Sequence, residues 1–454
     1  MQKNKIKGAE RLIYSEDKLI KIAKFGGTSL ASAEQFRKVK EILLSDGDRW
    51  VAVPSAPGKR YGEDIKITDM LIACHKLAQA GGDFSEALGE VGKRFNEIKD
   101  LLGIDEDISS DIEMIYNDMK VGAGEDYVKS RGEYLSGKLL ASYLGWKFVD
   151  PAQVIKFTQS GELDQKKTYE LIKAACSGGK SVLPGFFGSG EDGRIITFSR
   201  GGSDITGSLA AAALDADIYE NWTDVSGFYM TDPRIVDGVQ HIEQISYEEL
   251  RELSYMGAGV LHENAIFPVR EKRIPINIKN TNSPDDAGTM IVAKQDLAPH
   301  GMPITGIAGK KGFSVINIYK SAMNSELGFA RKILSVLEEM GVSFEHMPTG
   351  IDTISVVVAD EYIEGKQEAV IEKITRAVKP DEIDITPDMA LIATCGHGMQ
   401  HHMGTAAKLF SALAAQGINI RMIDQGSSEL NIIVGIESAD YEKAISAIYN
   451  GFIN

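Results

Sequence analysis

Several residue types and sequence patterns are scarce in this chain, and each shortage excludes a class of protein. Only three cysteines occur among 454 residues. Cys74, Cys176 and Cys395 are too far apart for a zinc cluster or a disulfide framework, which predicts a cytoplasmic protein in a reducing compartment. No apolar run approaches the roughly 20 residues of a membrane span. The stretch 1–18 mixes charges and has no apolar core of signal-peptide length, so we expect no membrane partner.

An excess of positive charge is also missing. The formal net charge is −16 at pH 7, which argues against nucleic acid and anionic membranes as general partners but leaves room for a local basic pocket. An apolar content of 43% and a charged content of 25% are ordinary for a globular protein. A chain of this length is expected to fold into about two to four domains.

Two familiar site patterns are absent or incomplete. No GxxxxGK[ST] sequence occurs, so the chain is not a P-loop kinase. The glycines of 188–193 have the spacing of a dinucleotide-binding turn, but a strand follows instead of a helix, so we predict a hairpin turn there. Cys395, His397, His401 and His402 cluster tightly and could suggest a metal site, against which the resemblance described below argues.

The most informative stretch that is present is Lys24-Phe25-Gly26-Gly27-Thr28-Ser29. Residues 19–23 are predicted to form a buried strand, and 31–44 a helix. A strand, a glycine turn and a helix start present backbone N–H groups to a phosphate, and Lys24 adds a mobile cation beside them. Taken alone, the hexapeptide is equally compatible with an ordinary strand-to-helix turn.

Three further segments carry polar residues suited to a nucleotide and an anionic substrate. Segment 199–207 follows a predicted strand and opens a small-residue helix, and its Arg200 could hold a carboxylate in bidentate fashion. The loop 221–234 is aromatic and hydroxyl-rich, which suits a purine base and its ribose. Segment 131–138 is helical in pattern and carries Glu133. A plain turn, a surface loop and a solvated helix face are the respective alternatives.

Strands alternate with helices from residue 18 to about 292. This alternation predicts an α/β domain with a largely parallel sheet and with ligands at the carboxyl ends of its strands. After the first strand, the predicted strands are 49–53, 181–187, 194–199 and 274–279. The predicted helices are 68–80, 84–101, 127–144 and 207–213.

The hydrophobic periodicity ends after residue 294, and the following residues include two prolines and a glycine. This composition predicts a linker over 295–303. Beyond it lies an internal repeat of two units, each with the pattern βαββα. The first unit has predicted strands at 313–318, 342–347 and 354–359 and helices at 326–340 and 365–378. The second has predicted strands at 390–394, 418–423 and 430–436 and helices at 403–416 and 441–449.

With these motifs in this order, the sequence resembles the aspartokinases of the amino-acid kinase family from residue 22 onward. The turn at 24–29, the run Arg200-Gly201-Gly202-Ser203-Asp204, and Thr223-Asp224-Val225 with Thr231-Asp232-Pro233-Arg234 match three family motifs. The tandem units look like paired ACT domains. The resemblance implies an α/β fold, with an αβα-sandwich kinase domain followed by two ferredoxin-like βαββαβ ACT units.

The activity that the resemblance implies is ATP-dependent phosphorylation of the β-carboxylate of L-aspartate. This is the first step toward the aspartate-derived amino acids lysine, threonine and methionine, and it implies feedback by an end-product amino acid through the ACT domains. We expect that amino acid to be lysine, with threonine, both or another regulator left open. We also expect a homodimer or homotetramer through the ACT domains. Because the chain ends at Asn454, we expect no fused dehydrogenase domain.

The resemblance also implies which residues carry the reaction. Lys24, with the N–H groups of Gly26 and Gly27, would hold the transferring phosphoryl group. Arg200 would clamp the α-carboxylate of aspartate, and Glu133 would receive its α-ammonium. The full set is catalytic Lys24 and Asp204; ATP-binding Lys24, Gly26, Gly27, Thr223, Asp224, Tyr229 and Arg234; substrate-binding Ser55, Thr68, Glu133, Arg200 and Ser203; and effector-binding Met323, Ser325, Phe329, Glu345, Asp352 and Thr353.

The expected cofactor is ATP with Mg²⁺, held mainly by the phosphates because no dedicated metal cage is visible. Segment 396–404, with its clustered histidines, looks like the ligand loop of the second ACT unit, so no protein metal site is predicted. One position departs from the family. The segment 257–262 usually carries a lysine where Gly259 stands, and Lys279, Arg270 or Lys272 could supply a substitute charge.

Two rival functions fit the same fold. One is a non-catalytic amino-acid sensor, which the intact Lys24, Arg200, Asp204 and Glu133 argue against. The other is a glutamate-type amino-acid kinase, such as glutamate kinase or acetylglutamate kinase, which the tandem ACT units and the context of Glu133 argue against.

The chain order of the repeat predicts how its strands are shared. A complete ACT unit needs a fourth strand; the first unit can find one at about 382–386, whereas the second reaches the end of the chain without one. We therefore predict that 304–308 supplies the missing strand. The expected organisation is a kinase domain at 19–294, a linker at 295–303 and a regulatory region at 304–454, in which ACT unit one (310–387) is inserted in ACT unit two (304–309 with 388–454).

Overall fold

The structure is a computed structural model that describes residues 19–199, 201–258, 266–298 and 301–453. The helices are α1 (Ala33–Ser45), α2 (Ile67–Gln79), α3 (Ser85–Leu102), α4 (Ile108–Lys120), α5 (Glu125–Leu144), α6 (Pro151–Val154), α7 (Gln165–Cys176), α8 (Gly202–Ala213), α9 (Tyr247–Tyr255), α10 (Phe267–Lys272), α11 (Phe329–Glu339), α12 (Asp360–Ile363), α13 (Gln367–Val378), α14 (Thr405–Ala415) and α15 (Tyr441–Ile453). The strands are β1 (Lys21–Phe25), β2 (Arg49–Pro54), β3 (Lys147–Phe148), β4 (Ser181–Val182), β5 (Phe187–Ser189), β6 (Ile195–Thr197), β7 (Ile218–Thr223), β8 (Gln244–Ser246), β9 (Ile276–Asn280), β10 (Thr289–Val292), β11 (Gly306–Tyr319), β12 (Thr353–Ala359), β13 (Glu382–Cys395), β14 (Met422–Asp424) and β15 (Asn431–Glu437).

The described residues form two compact units. The first contains 19–199, 201–224 and 266–285, and the second contains 225–258, 286–298 and 301–453. No helix among these residues is long and apolar enough to cross a membrane.

The first unit is built on a parallel sheet, as the alternation of strands and helices predicts. Its strands lie in the order β3-β4-β2-β1-β7-β9, and each neighbouring pair is parallel. Because β1 lies between β2 and β7, the residues that follow these three strands meet at one edge of the sheet, where ligands of open α/β sheets bind.

The two faces of β1 carry different partners. Ala23 and Phe25 belong to a buried apolar cluster with residues of α1 to α5. Successive side chains of a strand point to opposite faces, so Lys24 points away from that cluster, toward the face against which α8 packs. The αβα layering therefore follows from the alternation in the sequence, and it places a lysine next to α8.

A short hairpin confirms one rejection made from the sequence. β5 and β6 are paired antiparallel, with Ser189 opposite Ile195. Gly188 lies in β5, and Gly190 and Gly193 make the turn between the strands, so 188–193 forms no dinucleotide-binding loop.

The second unit contains the parallel pair β8 and β10 and a five-stranded antiparallel sheet in the order β12-β11-β13-β15-β14. The strands β11 and β13 are each 14 residues long and run through both repeats. Gly312, at φ +90°, and Asp388, at φ +58°, lie near the middle of these strands. The ladder between them shifts register around Phe313, as expected at a β-bulge.

The strand pairing predicted for 304–308 is confirmed from Thr305 onward. The Thr305 N–H donates to the Cys395 carbonyl at 2.7 Å, and Gly306 pairs with Cys395 in the ladder. The first half of β11 therefore pairs with the opening strand of the second repeat, and its second half pairs with β12 of the first repeat. The domain boundaries at 294, 303 and 387 stay a prediction.

Some predicted strands differ from the structure. Segments 382–386 and 390–394, predicted as separate strands, are one continuous strand, β13. Over 342–347 the structure has a backbone bond from Glu345 N–H to Val357 and an isolated bridge at His346 instead of a strand. Pro348 lacks an N–H and interrupts the ladder there. Strand 418–423 is replaced by the shorter β14, and 181–187 divides into β4 and the first residue of β5.

Candidate active site and effector region

The turn after β1 brings backbone so close to backbone that only glycine fits. The Gly26 N–H donates to the Trp222 carbonyl at 2.9 Å, and the Gly58 N–H donates to the Gly27 carbonyl at 2.7 Å. A Cβ on Gly27 would lie 2.9 Å from the Ala56 carbonyl oxygen, and one on Gly58 would lie 2.7 Å from the Gly27 carbonyl carbon. The predicted helix start differs slightly, because a 3₁₀ turn over Thr28–Leu30 precedes α1.

Lys24, Asp204 and Asn221 form a buried polar network. The Lys24 Nζ lies 2.5 Å from Asp204 Oδ1 and 3.4 Å from Asn221 Oδ1. The Asn221 amide donates to the same Asp204 oxygen at 2.9 Å. The structure therefore brings the two predicted catalytic residues, Lys24 and Asp204, into direct contact, and their roles stay a prediction. Sequence reasoning missed Asn221, although β1 and β7 place it directly beside Lys24 in the parallel register.

The start of α8 is shaped by close packing. Gly201 is left-handed at φ +60°, and a Cβ on Gly202 would lie 2.6 Å from the Phe186 ring. Ser203 is buried and faces Gly185, where a Cβ would lie 2.5 Å from the serine hydroxyl. The Gly185 N–H donates to the Pro54 carbonyl at 3.1 Å. This contact brings Ser203 to the carboxyl end of β2. Arg200 lies outside the described residues.

Glu133 is a buried carboxyl with unused hydrogen-bonding capacity. It lies on α5, it is 6% exposed, and its Oε2 has no partner among the described residues. Desolvation raises the pKa of Glu133 from its ordinary value of 4.5 to about 8, against the opposing effects of the Ala56 N–H and the Arg131 charge. The carboxyl is therefore mainly neutral at pH 7 until a cation binds beside it.

Two other predicted substrate residues, Ser55 and Thr68, have sequence neighbours that pack against the helix carrying Glu133. Ser55 directly follows β2, and its N–H donates to the Phe25 carbonyl at 3.1 Å. Thr68 is the second residue of α2. A Cβ on Gly132, next to Glu133, would lie 2.8 Å from the Ala56 Cβ and 3.2 Å from the Ile67 Cγ2. The structure therefore brings the neighbours of Ser55, Thr68 and Glu133 into contact.

The predicted nucleotide residues are divided between the two units. Thr223 ends β7 in the first unit and Asp224 follows it, and the Thr223 hydroxyl lies 3.3 Å from Asp224 Oδ1. Tyr229 and Arg234 lie in the second unit, where both line a cavity of about 330 Å³. Arg234 is paired with Asp232 at 2.6 Å, and the pair raises the pKa of the guanidinium. Sequence reasoning gave no role to Thr231, which lines the same cavity.

The family lysine expected at Gly259 is missing, and the positions of Lys272, Lys279 and Arg270 do not identify which charge replaces it. Gly259 lies outside the described residues. Lys272 is engaged by the Ala212 carbonyl and Asp215. Lys279, near the carboxyl end of β9, lies over the Trp222 ring at 5.4 Å from its centroid, and Arg270 is on α10.

The predicted effector residues collect largely at one junction of strand and helix in the first repeat. Asp352 Oδ1 accepts from the Ala322 N–H at 2.8 Å, next to the 3₁₀ turn Met323–Ser325. Met323 and Phe329 pack in the apolar core of this repeat, and Ser325 and Thr353 are exposed. Glu345 is placed differently, because its carboxylate accepts from the Tyr255 hydroxyl.

Two of the clustered histidines, His397 and His402, have hydrogen-bond partners within the protein. His397 Nε2 lies 3.0 Å from the Ser246 hydroxyl, and His402 Nδ1 lies 2.8 Å from the Gly398 carbonyl. Cys395 is fully buried, and burial raises the pKa of its thiol. Within the described ranges no group of three or more His, Cys, Asp or Glu side chains could hold a metal ion.

Comparison with known proteins gives two family matches. Residues 20–280 match the amino acid kinase family, and residues 392–452 match an ACT domain. The chain is 39% identical over 449 residues to aspartokinase 3 of Bacillus subtilis, covering 95% of this chain and 98% of that protein.

Solved structures give the same result. The Clostridium acetobutylicum aspartate kinase, described as an allosteric enzyme, is 53% identical with a TM-score of 0.90, covering 96% of this chain and 100% of that one. Escherichia coli aspartokinase III was solved with aspartate and ADP and also with lysine and aspartate. These two structures are 23% and 24% identical, with TM-scores of 0.72 and 0.76, and each covers 96% of this chain and 100% of its own.

Proposed function

The chain belongs to the aspartokinases of the amino acid kinase family, and from that membership we propose how its own residues carry out the reaction. The protein phosphorylates L-aspartate with a nucleoside triphosphate and is controlled by an amino acid through its ACT domains. A β-carboxylate oxygen forms a bond to the γ-phosphorus, and the bond from that phosphorus to the bridging oxygen breaks, which gives 4-phospho-L-aspartate and ADP.

Lys24 is proposed to stabilise the negative charge of the transferring phosphoryl group. The observation that carries this role is the buried contact of Lys24 Nζ with Asp204 at 2.5 Å, beside the glycine turn. Phosphoryl transfer depends on positioning and on charge stabilisation. Asp204 and Asn221 hold the ammonium in one place before the substrates bind, and the N–H group of Gly27 adds a dipole at the same turn. The expected contribution of the Gly26 N–H is corrected, because that group already donates to the Trp222 carbonyl at 2.9 Å.

Aspartate is proposed to bind at the carboxyl end of β2. Glu133 would take the α-ammonium, because its buried Oε2 lacks a partner among the described residues. Ser55, Thr68 and Ser203 would donate to the carboxylates, and Arg200 would clamp the α-carboxylate with its two-pronged guanidinium. A cation arriving beside Glu133 favours the ionised carboxylate, so substrate binding and loss of the Glu133 proton are coupled.

The nucleotide-binding residues are proposed to be Thr223, Asp224, Tyr229 and Arg234, as the match to the family motifs implies. Mg²⁺ would neutralise phosphate charge when bound. We propose that the metal is carried mainly by the phosphates, as Mg²⁺ commonly is in kinases.

Regulation is proposed to start at the junction of Met323, Ser325 and Asp352, with lysine as the effector. A carboxylate at this junction suits the ammonium group of an amino acid. We further propose a homodimer or homotetramer through the ACT domains. A cytoplasmic location is also proposed, in keeping with three free cysteines.

A coupled assay of ADP formation tests the function. With L-aspartate, ATP and Mg²⁺ we expect steady turnover, and with L-glutamate or N-acetylglutamate no turnover above background. A hydroxylamine trap should give the β-hydroxamate of aspartate. Turnover with glutamate alone would indicate the glutamate-type kinase, and amino-acid binding without turnover would indicate the non-catalytic sensor. Adding lysine, threonine or methionine to the same assay identifies the effector.

A further inference from the structure

Arg94 is a buried arginine to which the proposed reaction gives no role. It lies on α3 and is 5% exposed, and arginine is rarely buried to this extent unless partners compensate its charge. Its guanidinium donates to the Gly58 carbonyl and, at 2.7 Å, to the Ile65 carbonyl. It also lies 3.3 Å from the Asp64 carboxylate. All three partners belong to the loop 55–66, which joins β2 to α2.

The charge of Arg94 is compensated within this loop. Asp64 is 9% exposed, and hydrogen bonds from Arg60, together with the charge of Arg94, hold the pKa of the Asp64 carboxyl well below its usual range. Asp64 is therefore ionised at neutral pH and gives Arg94 its counter-charge. A guanidinium that is occupied in this way does not clamp a substrate carboxylate, so any effect of Arg94 on the reaction passes through the loop.

The loop lies directly on the glycine turn after β1. The Gly58 N–H donates to the Gly27 carbonyl at 2.7 Å, while the Gly58 carbonyl accepts from Arg94. A Cβ on Gly58 would lie 2.8 Å from the Thr28 nitrogen, so the two backbone segments meet without space for a side chain. Gly58 therefore links Arg94 to the turn that is proposed to hold the transferring phosphoryl group.

The middle of the loop depends on this link more than its start does. The loop has no helix or strand of its own, and residues 59–63 are exposed. Its first residue is held separately, because the Ser55 N–H donates to the Phe25 carbonyl at 3.1 Å. Loss of the Arg94 contacts should therefore release Gly58 while Ser55, a proposed aspartate contact, stays in place.

We propose that Arg94 is a positioning residue for phosphoryl transfer, because it holds two carbonyls of the loop 55–66 and so keeps the loop against the glycine turn. This arrangement fixes the transferring phosphoryl group relative to the bound aspartate, without any contact of Arg94 with either substrate. The inference rests on the proposed roles of Ser55 and Gly27. Transfer is sensitive to such alignment, since a misplacement of about 1 Å can cost about 10²-fold in rate.

The test removes the guanidinium fork and keeps the charge. Arg94→Lys leaves a cation beside Asp64, but one ammonium does not reach two carbonyls and a carboxylate in the planar geometry of a guanidinium. Arg49→Lys is the matched control. Arg49 is 7% exposed, pairs with Glu220 at 2.7 Å and donates to the Ile42 carbonyl, but it lies at the start of β2, at the opposite end of the strand from the loop. Both variants should lower the melting temperature by a similar amount.

For Arg94→Lys we expect kcat to fall by about 10- to 100-fold. The KM values for aspartate and ATP should stay within about threefold of the parent, because alignment is lost and binding is not. Hydrogen–deuterium exchange of the ligand-free enzyme should become faster in peptides covering 56–65 and stay unchanged in peptides of α5. For Arg49→Lys we expect kcat within about threefold of the parent and parental exchange over 56–65.

A second variant disturbs the same contact from the loop side. Gly58→Ala keeps Arg94 but places a Cβ 2.7 Å from the Gly27 carbonyl carbon, so it should lower kcat in the same way. Because both changes act through one contact, the double variant should lose less than the product of the two single losses. If Arg94→Lys does not fold, Gly58→Ala still decides, since a parental kcat in that variant would refute the link.

The outcomes separate this inference from the proposed function. If Arg94→Lys keeps the parental kcat while Lys24→Met loses it, the positioning role is wrong and the reaction site at the glycine turn stands. If neither variant lowers kcat, the placement of the reaction at this turn is wrong. An equal loss of kcat in Arg94→Lys and Arg49→Lys would show a general loss of stability and would refute the positioning role. A raised KM for aspartate with unchanged kcat would refute it as well.

Discussion

Replacing Glu133 by glutamine tests whether a buried carboxyl binds the α-ammonium of aspartate. Desolvation raises the pKa of Glu133 to about 8. At pH 7, one unit lower, about nine-tenths of the molecules carry a protonated Glu133. A neutral carboxyl attracts an ammonium ion only weakly, so aspartate must bind the ionised minority or displace the proton. Binding is therefore expected to release a proton.

The magnitude follows from the distance between the pH and the pKa. Ionising Glu133 at pH 7 costs about 1.4 kcal/mol, a factor of about ten in apparent affinity. KM for aspartate should be about tenfold higher at pH 7 than on the plateau above pH 8, and about tenfold higher again at pH 6. Calorimetry in two buffers of different ionisation enthalpy should show about 0.9 proton released per aspartate bound at pH 7. Glu133→Gln should raise KM, remove its pH dependence between pH 6 and 8, and abolish proton release.

The same shift affects folding. The folded pKa of Glu133 lies above its ordinary value of 4.5, so its contribution to stability is fully present below about pH 4.5 and is lost as the pH rises through about 8. The total loss is on the order of 5 kcal/mol. Between pH 6 and 9 the melting temperature of Glu133→Gln should therefore fall less than that of the parent.

The control is Glu90→Gln, which removes a carboxylate that is 59% exposed on α3. It should keep the parent's KM, pH dependence and proton release. A parent KM for aspartate that stays constant from pH 6 to 8 would refute the raised pKa. Unchanged KM in Glu133→Gln would refute the ammonium site.

Three further substitutions test the other roles. Lys24→Met should lower kcat by about 10²-fold or more, because a preorganised charge at the transferring phosphoryl group is lost; near-normal turnover of the folded variant, compared with the control Lys38→Met on α1, would contradict this role. Arg200→Lys keeps the charge but loses the planar fork, so KM for aspartate should rise more than KM for ATP, and an equal rise in both would argue against a carboxylate clamp. Asp352→Ala should weaken inhibition by the effector by about tenfold or more, as expected for a lost charge-assisted contact, with little change in uninhibited turnover. Unchanged inhibition by every amino acid tested would place the effector elsewhere.

Local sequence signals predicted the parts of the site that depend on short-range geometry. The glycine turn after Lys24 and the helix carrying Glu133 follow from spacing over a few residues. Ser246 and Glu249 form a capping box at the start of α9, so the unpredicted helix α9 carried a readable signal. Helix α7 was also not predicted, and Asp164, which caps its start, was a weaker signal for it.

Other features depend on contacts between distant residues and could not be obtained from spacing. Asn221 reaches Lys24 through the register of two parallel strands, and the unpartnered Oε2 of Glu133 results from the packing of α5. The segment 342–347 has the composition of a strand, yet its ladder is broken by the turn residues that follow it. Register, burial and ladder geometry are set by the assembled fold.

The two long strands β11 and β13 have a consequence for how the regulatory region forms. Gly306 cannot form its strand pairing until Cys395 has been synthesised, and Cys395 emerges from the ribosome only after the whole first repeat. Pairing over such a long stretch of chain has a large loop-closure cost and is slow to form. Until it forms, the first half of β11 is an exposed strand edge that can pair with another chain. Synthesis therefore passes through a stage at which the first repeat can close its own sheet, while 306–311 stays vulnerable to misassembly until its partner residues 390–395 arrive.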